Sequence, residues 1–259
     1  MNLRTSSIAA LFVTIGSANA ALTNIVFDSS FTSPDYTDGA LNGQPGVTDT
    51  QGAFVVSNSA GTGTVTNEDG AFERAQIGGD FLSSLSFVPG SMILIELDDL
   101  MIVSDDNNNN ILTLGLSTGG GSGNAGLAIG GRLTRSGTAI SVGGFASGSA
   151  LTGFSVGGAS FDYAIKLTAE NAGPSTAVSY TIDHLINGTS LLTETGQFPA
   201  PVSMTPMNNF FAGFIQDLDP ADGADFNFDG FTLSYNIPEP SMVSLLGFGL
   251  CSVLLRRRR

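Results

Sequence analysis

Tryptophan is absent from this chain, cysteine and histidine occur once each, and lysine and arginine together number only nine in 259 residues. Each shortage excludes something. The single thiol, Cys251, has no partner for an internal disulfide, so a folded body must be held by its core or by a metal. The single histidine, His184, stands on an apolar strand pattern with no cysteine nearby and no serine elbow, which leaves zinc binding without ligands and a Ser-His triad without its parts. Five of the nine basic residues lie at the two ends, so the body between residues 21 and 236 has only Arg74, Arg132, Arg135 and Lys166 against all but one of the 23 acidic residues. Nucleic-acid binding needs clustered cations to replace counterions and is excluded. Long amphipathic helical repeats are missing as well.

What is present is strand pattern. In "FDYAIKLT", Phe161, Tyr163, Ile165 and Leu167 alternate with Asp162, Lys166 and Thr168, the period of two of a strand with one buried face. In "VSYTIDHLI", Val178, Tyr180, Ile182, His184 and Ile186 share a face, and Asn187-Gly188 then supplies a two-residue turn, which predicts a hairpin. "FTLSYN" places Phe231, Leu233 and Tyr235 inward and Thr232, Ser234 and Asn236 outward. Proline and glycine punctuate at short intervals, as a sandwich or jelly roll requires. From Gly115 to Gly158 there are 15 glycines, yet "LAIGGRL" and "TAISVGGF" keep enough apolar residues to be strands of the domain rather than a linker. No fixed repeat period emerges, which argues against a solenoid.

Two acidic stretches are candidates for chemistry. "IELDDLMIV" sets Glu96 and Asp98 on one strand face, but Leu100 and Met101 occupy the positions where a second glutamate would complete a retaining pair, so the expectation is a strand and no enzyme. "DLDPADGADFNFDG" gathers Asp217, Asp219, Asp222 and Asp225, hard oxygen ligands suited to calcium. The spacing departs from an EF-hand loop, Pro220 intrudes and the closing glutamate is missing; a solvated acidic hairpin loop is the competing reading. Calcium is the one cofactor carried forward.

The ends carry their own signals. Residues 1–20 combine Arg4, an apolar run from Ile8 to Ile15 and an Ala-x-Ala arrangement at Ala18 and Ala20, which predicts a secretory signal peptide cut after Ala20. Residues 237–259 combine Pro238-Glu239-Pro240, an apolar run from Ser241 to Leu255 and four arginines, Arg256, Arg257, Arg258 and Arg259. Fifteen residues of helix reach about 22 Å, a short span of a core about 30 Å thick, and the arginines would hold its end on the cytoplasmic side. The prolines keep the triplet extended and accessible beside the membrane.

The order of triplet, short apolar helix and terminal arginine cluster resembles the PEP-CTERM sorting signal of Gram-negative bacteria. The resemblance implies an exosortase as partner, processing near Pro238 to Pro240, transient anchoring in the inner membrane by the C-terminal transmembrane helix, and delivery to the cell surface or extracellular matrix. More softly, "FDSSFTSPDYTDGALNGQPG" with the closing "FDGFTLSY" is similar to laminin-G and concanavalin-like sandwiches, although Val47 stands where such proteins often have tryptophan. That resemblance implies an all-β antiparallel jelly-roll sandwich over residues 21–236. The combined expectation is a secreted, non-catalytic surface or exopolysaccharide-matrix protein. The alternative is a lectin-like module for a neutral envelope glycan, calcium-dependent, using Tyr or Phe for any stacking on sugar rings.

Overall fold

The computed structural model describes residues 24–51, 54–58, 63–66, 74–77, 89–103, 111–118, 127–136, 139–144, 151–170, 179–197, 211–217 and 226–236. Among them every regular element is a strand, and two antiparallel sheets face each other. The strands are β1 (Asn24–Ser29), β2 (Gly39–Ala40), β3 (Val47–Gln51), β4 (Val55–Ser57), β5 (Thr64–Thr66), β6 (Arg74–Ile77), β7 (Met92–Ile102), β8 (Leu112–Thr118) and β9 (Leu127–Ser136). They continue with β10 (Ala139–Gly144), β11 (Thr152–Phe154), β12 (Phe161–Ala169), β13 (Ser179–Ile186), β14 (Thr189–Gln197), β15 (Phe211–Asp217), β16 (Phe226–Phe228) and β17 (Gly230–Asn236).

The larger sheet has ten strands, running β14-β13-β12-β7-β16-β5-β4-β2, with β17 pairing the first part of β7 and β1 pairing β17. The smaller has seven, in the order β11-β10-β9-β8-β15-β6-β3. Alternation explains the core between them. Ile93, Ile95 and Leu97 of β7, Phe161, Tyr163, Ile165 and Leu167 of β12, and Phe231 and Leu233 of β17 are buried from one side. Leu112, Leu114 and Leu116 of β8, Leu133 of β9 and Val142 of β10 are buried from the other. Each such side chain stabilises by about 1.5–3 kcal/mol on burial, and the β-branched and aromatic residues that fill strands favour this pleated packing.

The expected hairpin is present: β13 and β14 are joined at Asn187 and Gly188, whose φ values of 49° and 71° are the pair of positive angles that a two-residue turn of the right twist demands. The two edge motifs of the sandwich resemblance meet as the β1–β17 ladder, with Asp28 opposite Thr232 and Phe27 opposite Leu233. Phe27 packs edge-on to Phe231 with centroids 6.0 Å apart, and Phe31 does the same with Tyr36 at 5.1 Å. Gly46 lies against Phe27, where a Cβ would collide with the ring. "LAIGGRL" lies in β9 and the Ala139–Gly144 part of "TAISVGGF" forms β10, inside the sheet as expected.

One detail of the β17 pattern differs from expectation. Ser234 and Asn236 face away from the core yet are buried, because β17 lies between β1 and β7 rather than at an edge. The residues expected as calcium ligands, Asp219, Asp222 and Asp225, those expected at the signal cleavage, Ala18 and Ala20, and those expected in the sorting signal, Pro238, Glu239, Pro240 and Arg256 to Arg259, lie outside the described residues, as does the apolar run expected to span the membrane. Among the described residues no helix is long and apolar enough to cross a membrane.

Candidate functional site

The outer face of the seven-stranded sheet is where polar groups are left without partners. On β8, Thr113 and Gly115 alternate with the core leucines and face outward; on β9, Arg132 and Thr134 do so between Gly131, Leu133 and Arg135. Register brings them into rows. Thr113 stands between Arg132 of β9 and Gln216 of β15, Arg132 is opposite Gly143 of β10, and Gly115 is opposite Gly130. Gln76 of β6, fully buried, occupies the same face two strands away from β8.

Thr113 is buried completely, and its Oγ1 has no hydrogen-bond partner; the Nε of the partly exposed Arg132 is buried in the same condition. Thr134 reaches the Ser141 carbonyl at 3.5 Å. A buried polar atom without a partner costs about 1–3 kcal/mol, so such groups mark places where a missing partner belongs. Around them the face is paved with Gly115, Gly130 and Gly143, which project no side chain. Thr113, Gln76, Gly115, Gly130 and Gly143 are all buried, so this side of the sheet is not open to solvent at these positions.

The acidic pair of the sequence takes up the opposite outer face. Glu96 and Asp98 do project together from β7, flanked by Ala164 and Thr232 opposite Glu96 and by Gly230 opposite Asp98. Burial, together with the neighbouring Asp98 and Asp162, holds the Glu96 carboxyl above its ordinary range. Burial, then Asp162, Asp28 and Asp99, does the same to Asp98. Leu100 is buried in the core and Met101 is exposed, so neither position completes a second glutamate; the third carboxylate of β7 is the exposed Asp99, which accepts from the Ser160 hydroxyl at 3.1 Å. Lys166 is 2.9 Å from Asp183, and the Thr193 hydroxyl donates to Asp183 at 2.6 Å; these bonds outweigh burial and hold the Asp183 carboxyl below its ordinary range. Asp217 ends β15. Among the described residues no group of three His, Cys, Asp or Glu is arranged to hold a metal ion.

His184 is fully buried between the sheets, as its strand face predicts. Its Nε2 lies 3.0 Å from Glu194 Oε2 and its Nδ1 3.3 Å from the Tyr163 hydroxyl. An ionised carboxylate only accepts, so Nε2 carries the proton and donates to Glu194, while Nδ1 accepts from the Tyr163 O–H. Burial pushes the imidazole below its ordinary value, against the opposing pull of Glu194 and Asp183. Burial likewise pushes the Tyr163 phenol far upward. Across the sandwich, Gly131 makes room for this chain: a Cβ there would lie 2.6 Å from the Tyr163 hydroxyl. Sequence reasoning found the buried histidine and missed Glu194, whose inward position only the β14 register reveals.

No protein-family model matches the chain, and no curated protein does. Solved structures do. A carbohydrate esterase from the Shiga toxin-encoding bacteriophage phi24B is similar over 82% of this chain and 98% of its own, with 13% identity and a TM-score of 0.50. The likeness is one of fold. An endo-1,3-β-glucanase from Streptomyces sioyaensis matches over 86% and 100% at 11% identity and a TM-score of 0.46. Peanut lectin matches over 82% and 97% at 11% identity and a TM-score of 0.43. The expectation of a non-catalytic protein is corrected by the esterase: the sandwich architecture is shared with an enzyme, so it gives no ground for excluding catalysis.

Proposed function

We propose that this protein is a secreted surface or matrix component, sorted by an exosortase at Pro238 to Pro240, that binds a glycan. The observation that supports the glycan reading is the two-sheet antiparallel sandwich, a fold similar over 82% of this chain to that of the phage carbohydrate esterase.

Affinity electrophoresis of the full chain in gels containing a panel of polysaccharides separates this reading from a purely structural role: a glycan-binding protein is retarded saturably by one of them. Absence of saturable retardation on every polysaccharide overturns the proposal.

A further inference from the structure

The end of the sandwich where β11 leads into β12 and the β13–β14 hairpin turns carries a cleft of about 380 Å³, within the range of about 300–1,000 Å³ usual for small-molecule sites. One wall is the segment from Phe154 to Ser160, and the other is the hairpin turn, with Ile186, Asn187, Thr189, Ser190 and Leu191. Ser155, Asn187, Thr189 and Ser190 are exposed, so the cleft is open to solvent. Both walls are held in place by the fold itself. The half-buried Phe154 ring packs edge-on to the buried Phe161 with centroids 5.4 Å apart. Gly157 and Gly158 turn the loop at φ values of 64° and 78°, and the Ala159 N–H donates to the Val156 carbonyl at 3.1 Å. Asn187 Oδ1 accepts from the Asp162 N–H at 2.9 Å and the Asn187 N–H donates to the Asp162 carbonyl at 3.0 Å, which ties the turn to β12.

The lining combines the two kinds of surface that a sugar presents. Phe154, Ile186 and Leu191 supply apolar area on which the C–H face of a pyranose can rest. With its Oδ1 committed to Asp162, Asn187 keeps the two N–H donors of Nδ2, and the Ser155, Thr189 and Ser190 hydroxyls make no hydrogen bond among the described residues. These hydroxyls both donate and accept, as sugar hydroxyls do. Among the described residues no charged side chain lines the cleft. The chain has a formal net charge of −14, so an anionic ligand would meet repulsion here with no cation to offset it. A second cleft of about 300 Å³, which shares Ser155, Val156 and Ala159 with the first, differs in containing Arg135.

We infer that the cleft between the 155–160 loop and the Asn187-Gly188 turn takes a neutral glycan, with a sugar ring against Phe154 and its hydroxyls bonded to Asn187 Nδ2 and to the Ser155, Thr189 and Ser190 hydroxyls. The inference rests on the glycan reading above and gives it a place and a ligand class. Affinity electrophoresis of the full chain tests it, with dextran, laminarin and galactomannan as neutral polymers and alginate and dextran sulfate as anionic ones. Ser190→Trp fills the cleft from an exposed position, while Ser57→Trp adds the same bulk on β4, near the opposite edge of the ten-stranded sheet; thermal unfolding checks that both fold. The expected result is saturable retardation by a neutral polymer, weakened at least about tenfold in Ser190→Trp and unchanged in Ser57→Trp. Phe154→Trp gives a chain without tryptophan a single indole at the cleft, and its emission should shift saturably with the same polymer, a readout that does not depend on the folding of Ser190→Trp. Equal affinity of Ser190→Trp and Ser57→Trp, or an emission unmoved by a polymer that retards Phe154→Trp, overturns the cleft and leaves glycan binding standing. Retardation by the anionic polymers alone overturns the neutral class and points to the neighbouring Arg135 cleft instead. Retardation by none of the five polymers, nor by any other polysaccharide, removes both readings.

Discussion

Tyr163→Phe tests the buried chain of hydrogen bonds at its inner end. The substitution leaves the ring in place and removes only the hydroxyl that donates to His184 Nδ1 at 3.3 Å. His184 is without solvent exposure, so Nδ1 then becomes a buried acceptor with no donor, at a cost of about 1–3 kcal/mol. For a domain of this size each kcal/mol lowers Tm by roughly 2–4 °C, which gives a fall of roughly 2–12 °C. Tryptophan fluorescence is not an option in this chain, so far-UV circular dichroism against urea is the assay. The triple variant Tyr163→Phe/His184→Leu/Glu194→Leu should recover much of the loss, because removing every partner of the chain leaves no orphan. The pH dependence has a definite sign. His184 is lowered in the fold, so the unfolded chain binds its proton more readily; stability is complete above about pH 6.5 and is lost as pH falls through the folded value, with a slope of at most about 1.4 kcal/mol per unit. His184→Leu should abolish that slope. A Tyr163→Phe change smaller than about 0.5 kcal/mol, below the range for an orphaned group, refutes the assignment of the Tyr163–His184 bond.

Four further outcomes are expected, three from the geometry and one from the proposed sorting. Glu96→Gln and Asp98→Asn should each stabilise at pH 7, because carboxyls raised in the fold favour folding only below their unfolded values and lose that contribution as pH rises; the gain should be a fraction of about 1 kcal/mol, given their partial exposure, and urea titration at pH 7 and pH 4 should show it only at the higher pH. Gly131→Ala pushes a methyl into His184 and Tyr163 from the opposite sheet, and unfolding should become easier by about 1–3 kcal/mol. Gly188→Ala forces a Cβ into a residue at φ 71°, for which a loss of about 1–2 kcal/mol in the same assay is expected. Intact-mass measurement of the product from strains with and without an exosortase should find an end near Pro238 to Pro240 only when the enzyme is present.

Where alternation is strict and one face is apolar, the sequence reads directly: β12, β13 and β17 and the Asn187-Gly188 turn are visible because burial on one side imposes a period of two and the turn needs two positive φ values. Pairing is less legible. That β17 inserts between β1 and β7, burying Ser234 and Asn236 on its outward side, is a matter of long-range register that no local pattern encodes. The buried polar groups without partners were missed for a related reason. Thr113, Arg132 and the glycines beside them come from a stretch whose composition suggests turns, and only the β8–β9–β10 ladder assembles them on one face. Glu96 and Asp98, by contrast, stood out by type and spacing and do share a face, but on the sheet away from those groups.

The ladder between β1 and β17 joins the first described strand to the last, Asn24 opposite Tyr235, and β17 in turn completes one flank of the long central strand β7. A ribosome or a translocation channel delivers these partners far apart in time. Until β17 emerges, β7 has Met92 to Asp98 unpaired on that side and β1 has no neighbour among the described strands, leaving open edges that invite intermolecular pairing. The ten-stranded sheet therefore closes last, after nearly the whole chain has been delivered, and its folding should be slow for its size because its pivotal contacts are among its most distant in sequence. A chain stalled before Gly230 would be prone to aggregate, so completion of the sheet depends on the arrival of a single strand.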